Sequence, residues 1–262
     1  MDAELARLRL APESPPLTAA RATAYSDVSL VIPARNEERG LARLLPRLAH
    51  YGLGQILVCD NGSTDRTAEV AHAHGATVVP APRVGYGAAC WAGLEALSPQ
   101  CRVVAFLDAD VADDPDRLPA LVDPVRAGTF DLVIGTRVAR LRRQGSMTAP
   151  QQFGNLLATT LIWIGWGKSY ADLGPFRAIS RAGLARIGMR DRAFGWTVEM
   201  QVRAVEEGLR VRQVPVPYYR RVGTSKISGT LRGAALAGYW ILRTLGTLAL
   251  ARAVGADDRR KV

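Results

Sequence analysis

From Val28 onward, short apolar runs alternate with polar turns and with stretches whose apolar residues recur at helical spacing. Val28–Ile32 is predicted as a strand, the turn PARNEE follows, and Gly40–His50 carries apolar residues three and four apart, as a helix packed on one face does. The same rhythm gives strand Gln55–Cys59, turn DNGSTD and helix Arg66–His74, then strand Thr77–Val79, the glycine turn PRVGYGAA and helix Ala88–Leu97. Val103–Leu107 is too short for a helix and rich in branched and aromatic side chains, so it is expected to be a buried strand. Asp114 at the N-cap and Pro115 at the first helical position start a helix over Pro115–Arg126, and Phe130–Ile134 forms a further strand. Such alternation specifies an α/β chain with a doubly wound, mainly parallel sheet.

The last third is less regular. Asn155–Gly167 is uncharged and includes Trp163 and Trp166; it is too short to cross a bilayer, which takes about 20 residues, and reads as a buried or an interfacial helix. Trp196–Glu207 is a helix whose Val198, Val202 and Val205 face a core. Leu231–Val254 is rich in Leu and Ala but broken by Arg232, Arg243 and Arg252, which suits an amphipathic helix rather than a membrane span. Three regions follow: an N-terminal extension over 1–26, one α/β domain over 27–229, and an amphipathic helix with its tail over 230–262. The extension carries Pro12, Pro15 and Pro16 and no basic stretch leading into an apolar core, so it reads as neither signal peptide nor anchor. The tail Asp257–Lys261 is expected to fray.

Open parallel sheets bind ligands beyond the carboxyl ends of their strands. Pro33–Glu37, Asp60–Asp65, Gly85–Ala89 and Asp108–Asp110 each follow a strand, so these turns are expected to meet along one edge. Alternate residues of an extended chain point to the same side, so Asp108 and Asp110 can converge on a hard divalent cation, Mg²⁺ or Mn²⁺, completed by phosphate oxygens. A pair of loop aspartates that only caps the next helix is the plainer alternative. Asp60, at a strand's end, can accept from a base N–H or a ribose hydroxyl, whereas Asn61-Gly62, Gly85 and Gly87 are also explained as turn formers.

Charge points the same way. The 262 residues carry 34 Lys+Arg against 24 Asp+Glu, a net charge of +10, which favours an anionic partner. No zinc-finger spacing, RNP-like motif or basic region with heptads is present, which leaves nucleotide phosphates or an acidic membrane face ahead of nucleic acid. Cys59, Cys90 and Cys101 have no C-x-x-C spacing and read as small buried hydrophobes, while His72 and His74 suit a helix surface better than a metal site. Arg137, Arg140, Arg142 and Arg143 crowd the exit of the Phe130–Ile134 strand, and Arg220–Lys226 reads R-x-x-G-x-S-K, whose backbone amides, Ser225 and Lys226 suit a phosphate cradle. Either cluster also reads as a solvated basic loop. Asp172 and Glu199 are the remaining carboxylates with a possible chemical role: a hydroxyl acceptor needs such a base, whereas a phosphate acceptor, already anionic, needs cations.

IPARNEE, DNGSTDRT, VGYGAA and FLDAD, in this order, resemble the family 2 glycosyltransferases of GT-A fold. IGTR, DLGPFR and RRVGTSK extend the resemblance to the polyprenyl-phosphate hexose synthases, relatives of dolichyl-phosphate mannose synthase, over roughly Ser29–Gly229. The resemblance implies a UDP- or GDP-sugar donor held by Pro33, Ala34, Asn36, Glu37, Asp60, Gly85, Gly87, Asp108 and Ala109, with metal at Asp108 and Asp110. It implies an inverting transfer to an anionic acceptor, a dolichyl or undecaprenyl phosphate held by Arg137, Arg177, Arg220 and Lys226, with Asp110, Asp172 and Glu199 as the catalytic carboxylates. It also implies a cytoplasmic protein with peripheral contact to the cytoplasmic membrane face. A soluble relative acting on a hydroxyl, with Asp172 or Glu199 as base, and a non-catalytic nucleotide-sugar binder are the alternatives. The chain departs from the pattern at Tyr86, where relatives often have lysine, and at Ala112, where glutamine is common.

Overall fold

The computed structural model describes residues 24–223 and 231–259. Its strands are β1 (Tyr25–Ala34), β2 (Leu53–Asp60), β3 (Thr77–Pro80), β4 (Val103–Phe106), β5 (Leu132–Thr136), β6 (Arg177–Ser180) and β7 (Val211–Pro215). Its α-helices are α1 (Glu38–Leu48), α2 (Thr67–Ala73), α3 (Tyr86–Glu95), α4 (Leu118–Arg126), α5 (Ala149–Trp166), α6 (Arg181–Ile187), α7 (Trp196–Glu206) and α8 (Leu231–Arg259). The strands form one 7-stranded sheet in the order β3-β2-β1-β4-β6-β5-β7.

Period-two alternation divides the core. Leu30 and Ile32 of β1 face a layer shared with Leu41, Leu44, Leu45 and Leu48 of α1 and with Leu118, Leu121 and Val122 of α4. Val31, between them, faces the opposite layer with Cys90, Trp196, Ile162, Leu245 and Leu248. Burying each large apolar side chain contributes about 1.5–3 kcal/mol, so both faces of the sheet are held and the strand ends cannot drift relative to one another. The three cysteines are buried and unpaired, as expected for small hydrophobes.

All neighbouring strands are parallel except β6, which is antiparallel to both β4 and β5. Ala34 pairs with Asp60 and Asp60 with Pro80, so the carboxyl ends of β1, β2 and β3 form one edge. Reversal of β6 puts its amino end at that same edge: Arg177 pairs with Phe106 and with Ile134. The loop before β6, which contains Asp172, therefore meets the turns that follow β4 and β5.

β6 and β7 lie outside the strands the periodicity predicted. β6 opens on an arginine and β7 is interrupted by the adjacent Arg212 and Gln213, so neither shows a clean apolar run. The sheet starts at Tyr25, inside the region assigned to the extension, because Tyr25 is buried against Tyr51 and its hydroxyl donates to Asp123 Oδ1 at 2.8 Å. α5 starts earlier than its uncharged stretch: Thr148 and Gln151 form a capping box, and Gly167, left-handed at φ 70°, ends the helix. α8 continues to Arg259, through part of the tail expected to fray. No helix among the described residues is long and apolar enough to cross a membrane.

Candidate active site

The first two turns are laced together. Asn36, left-handed at φ 53°, donates its backbone N–H to Ser63 Oγ at 2.9 Å, and its side-chain oxygen accepts from Thr64 N at 2.7 Å. Glu37 N donates to Thr67 Oγ1 at 2.8 Å. Asn61, read from sequence as a turn former, holds the third turn: its Nδ2 donates to Arg83 O at 2.7 Å and its Oδ1 accepts from Gly85 N at 2.8 Å. Gly85 sits at φ 152°, and a Cβ there would lie 2.8 Å from the Arg192 carbonyl oxygen, so no other residue fits.

The fourth turn carries the acidic pair. Val111, immediately after Asp110, is left-handed at φ 58°, a conformation that costs a β-branched residue about 1–3 kcal/mol and persists only where its surroundings impose it. That kink lets Asp110 Oδ1 accept from Ala112 N at 3.0 Å while Oδ2 pairs with Arg221 at 3.3 Å. Tyr86 Oη donates to Asp108 Oδ1 at 3.1 Å. Burial first, and then the neighbouring Asp110 carboxylate, push the Asp108 carboxyl up to about 7, against the opposing pull of Arg221 and Tyr86.

Raising a carboxyl in the folded state makes its contribution to stability fullest below its unfolded value, near pH 4, and removes it as pH rises through about 7. Metal-free protein is therefore expected to lose more thermal stability between about pH 5 and pH 8 than Asp108→Asn does. Melting curves in EDTA across that range check this, and parallel pH profiles would contradict it.

Pro33, Ala34, Arg35, Glu37, Asn61, Gly85, Tyr86, Asp108, Ala109, Asp110, Arg137, Phe194, Tyr218 and Arg221 line one cleft of about 350 Å³. Of the predicted donor residues, Asn36, Asp60 and Gly87 are not in its lining. Asn36 is spent on joining two turns, Asp60 Oδ1 accepts from Ser63 N at 3.1 Å, and Gly87 N donates to Ala193 O at 2.8 Å.

Arg137 forms the far wall. Its Nε donates to Asp172 Oδ2 at 2.7 Å, its Nη2 to Oδ1 at 2.8 Å and its backbone N to Oδ2 at 2.9 Å, while its guanidinium stands 5.1 Å above the Tyr218 ring. Burial alone would lower its pKa, but Asp172 outweighs that and holds it above the ordinary arginine value. A second cavity, of about 410 Å³, is also lined by Arg137, together with Asp172, Arg142, Gln152, Asn155 and Leu156. Asp113 sits nearby, buried, with neither carboxylate oxygen hydrogen-bonded among the described residues, and burial pushes its carboxyl well up.

Four of the expected residues have other partners. Arg177 is fully buried, and its guanidinium donates to the carbonyls of Leu173, Gly174 and Thr197, fixing the loop before β6. Glu199 does not face the cleft, because its carboxylate accepts from Arg190 N, Asp191 N and Arg203 Nε. Asp172 has both oxygens engaged by Arg137 and is the partner that fixes its guanidinium. Arg220 turns outward to Gln144 O at 2.9 Å, and its neighbour Arg221 reaches the acidic pair instead. Lys226 lies outside the described residues.

The family model described as Glycosyl transferase family 2 matches residues 29–191, which is more than half of the chain and includes the four turns that follow β1 to β4. The protein belongs to glycosyltransferase family 2. This glycosyltransferase is 39% identical over 214 residues to an uncharacterised glycosyltransferase of Mycobacterium tuberculosis, covering 80% of this chain and 94% of that one. It is 30% identical over 216 residues to the dolichyl-phosphate hexose transferase of Haloferax volcanii, covering 81% of this chain and 91% of the relative. Among solved structures, the glycosyltransferase superposes on glucosyl-3-phosphoglycerate synthase of M. tuberculosis with a TM-score of 0.70 at 24% identity, covering 90% of this chain and 86% of that one, which establishes the GT-A fold.

Proposed function

We propose that this glycosyltransferase moves a hexosyl group from a UDP- or GDP-sugar to a polyprenyl phosphate at a membrane surface, with inversion at the anomeric carbon. The observation that carries the reading is Arg137, which lines both the acidic cleft and the second cavity. A cation held rigidly at the junction of two sites is placed for an anion that enters from one side and attacks from there into the other. Leu156 belongs to the second cavity and also to an exposed apolar face of α5 with Phe153, Trp163 and Ile164. Tyr239, Leu242, Leu250 and Val254 extend that character along α8, which packs on α5. Aromatic and aliphatic side chains of this kind, interspersed with Arg243 and Arg252, suit an anionic lipid surface. Relatives named for dolichyl phosphate and for undecaprenyl phosphate, the latter from Micrococcus luteus at 28% identity, support the acceptor class.

The acidic pair fits Mg²⁺ or Mn²⁺. Two carboxylates, one of them pushed up to about 7 by burial and then by its neighbour, form a site short of positive charge. No cluster of three or more His, Cys, Asp or Glu that could hold a metal occurs among the described residues, and phosphate oxygens would complete the coordination of an ion at the pair. Asp110 and Asp108 would hold the cation, which when bound neutralises the departing nucleoside diphosphate. Arg221 supplies further positive charge beside Asp110. Arg137, fixed by Asp172 through Nε and Nη2, keeps Nη1 for the acceptor phosphate. A phosphate oxygen is already nucleophilic, so the commitment of Asp172 and Glu199 to other partners costs this reaction nothing, whereas a hydroxyl acceptor would lack both expected bases.

A soluble phosphorylated acceptor is the second reading, favoured by the structural likeness to a synthase whose solved complexes contain phosphoglyceric acid and Mn²⁺ with UDP. Product formation with UDP- and GDP-hexoses decides, using Mn²⁺ or Mg²⁺ and offering a short polyprenyl phosphate, the free alcohol or 3-phosphoglycerate. Transfer to the lipid phosphate is expected. Transfer to 3-phosphoglycerate or to the alcohol in its place would overturn the acceptor assignment.

A further inference from the structure

One wall of the donor cleft is built by a loop that has no sequence signal of its own. Residues 190–195 bring Phe194 to the cleft beside Gly85 and Tyr86. The loop is tied on three sides. Towards the glycine turn, Gly87 N donates to Ala193 O at 2.8 Å, and a Cβ on Gly87 would lie 2.8 Å from the Arg192 carbonyl carbon. Arg192 also lies 3.8 Å over the Trp91 ring of α3. Towards the core, the buried Glu199 carboxylate accepts from Arg190 N at 3.0 Å and from Asp191 N at 2.6 Å. The third tie is to the C-terminal helix: Asp191 Oδ1 accepts from Ala193 N at 2.7 Å, while Oδ2 accepts from Thr244 Oγ1 of α8 at 3.1 Å. Gly195 lies against Thr244 and Asp191 so closely that a Cβ there would collide with both side chains.

α8 is two-sided at this point. Leu245 and Leu248 are buried in the core layer that holds Trp196 and Val198, and Thr244 stands next to them, whereas Leu242 and Leu250 face outward. We infer that Asp191 is a positioning residue and that its bond to Thr244 is a latch through which the seating of α8 sets the Phe194 wall of the donor cleft. The chain of contacts is short: Thr244 to Asp191, Asp191 to Ala193, Ala193 to Gly87, with Phe194 next in sequence. The part of the inference that concerns lipid rests on the membrane-surface reading above. If the outer face of α8 lies on a bilayer, lipid contact that seats the helix also tightens the donor cleft.

The test is calorimetric titration of UDP and of GDP, each with Mn²⁺, into the full-length protein and its Thr244→Val and Thr244→Ser variants. Without lipid, Thr244→Val is expected to bind the preferred nucleotide about fivefold more weakly, the factor of one neutral hydrogen bond, at an unchanged melting temperature. Thr244→Ser, which keeps the hydroxyl, restores wild-type affinity. Wild-type affinity in Thr244→Val, or a lower melting temperature with unchanged affinity, would overturn the latch. Repeating the titration with vesicles of phosphatidylglycerol and phosphatidylcholine tests the second part: affinity rises for wild type and not for Thr244→Val. An equal rise in both overturns the coupling, whereas wild-type protein that ignores vesicles overturns the membrane reading and leaves the lipid-free result to judge the latch alone.

Discussion

Asp110→Asn is expected to lower turnover by about 10²–10³-fold, the scale on which one preorganised electrostatic contact acts in a transition state, while the protein stays folded. The substitution keeps the shape of the side chain and its acceptance from Ala112 N, so the left-handed Val111 kink is retained. What disappears is the charge that faces Arg221 at 3.3 Å and that would face the metal. Transfer measured at saturating Mn²⁺, with melting curves to show that the variant is folded, checks the expectation. Full metal-dependent turnover by Asp110→Asn would remove Asp110 from the mechanism.

Arg137 is expected to matter twice. Arg137→Ala strands the Asp172 carboxylate, 2% exposed, without its partner, and breaking a buried pair in this way costs about 3–5 kcal/mol. A large fall in melting temperature is therefore expected, and activity cannot be interpreted from that variant alone. Arg137→Lys separates the two roles, since it keeps a positive charge but cannot make the two-pronged contact to Asp172. The acceptor kcat/KM is expected to fall by about 10²-fold, a loss of close to 3 kcal/mol in transition-state binding, with little change in donor KM. A rise in donor KM with acceptor KM unchanged would place Arg137 in the donor site instead and overturn the acceptor role.

Legibility of the site in the sequence followed distance along the chain. Pro33, Ala34, Glu37, Gly85, Asp108 and Ala109 were readable because each lies in a turn directly after an apolar run, and in a parallel sheet such turns share an edge. The partners of Arg177 were not readable, because a lone arginine in DLGPFR looks the same whether it faces a phosphate or bonds to carbonyls; its burial beside Leu173, Gly174 and Thr197 appears only in the fold. Arg220 and Arg221 are adjacent cations in one basic run, and the choice between them depends on how the 218–222 segment lies across the acidic turn, where Val222 N donates to Asp110 O at 2.9 Å. Phe194 and Asn61 had no signal that marked them as cleft residues. The one is delivered by a loop bonded to Gly87, and the other looks like any Asn-Gly turn until its contacts with Arg83 and Gly85 are seen.

The sequence by itself determined the α/β class, the order of the first strands and helices, the acidic pair and the family, because periodicity, turn chemistry and motif spacing are properties of neighbouring residues. The tertiary structure alone decided the rest. β6 enters between β4 and β5 against their direction, a pairing between segments more than 40 residues apart that no local pattern encodes. That reversal carries Asp172 to the site edge, where it fixes Arg137, and the packing of α7 and α8 holds the loop that brings Phe194 to the cleft. Which of the charged residues line the cleft and which are taken up by the scaffold depends on burial and on hydrogen-bond partners, quantities that exist only once the chain has folded.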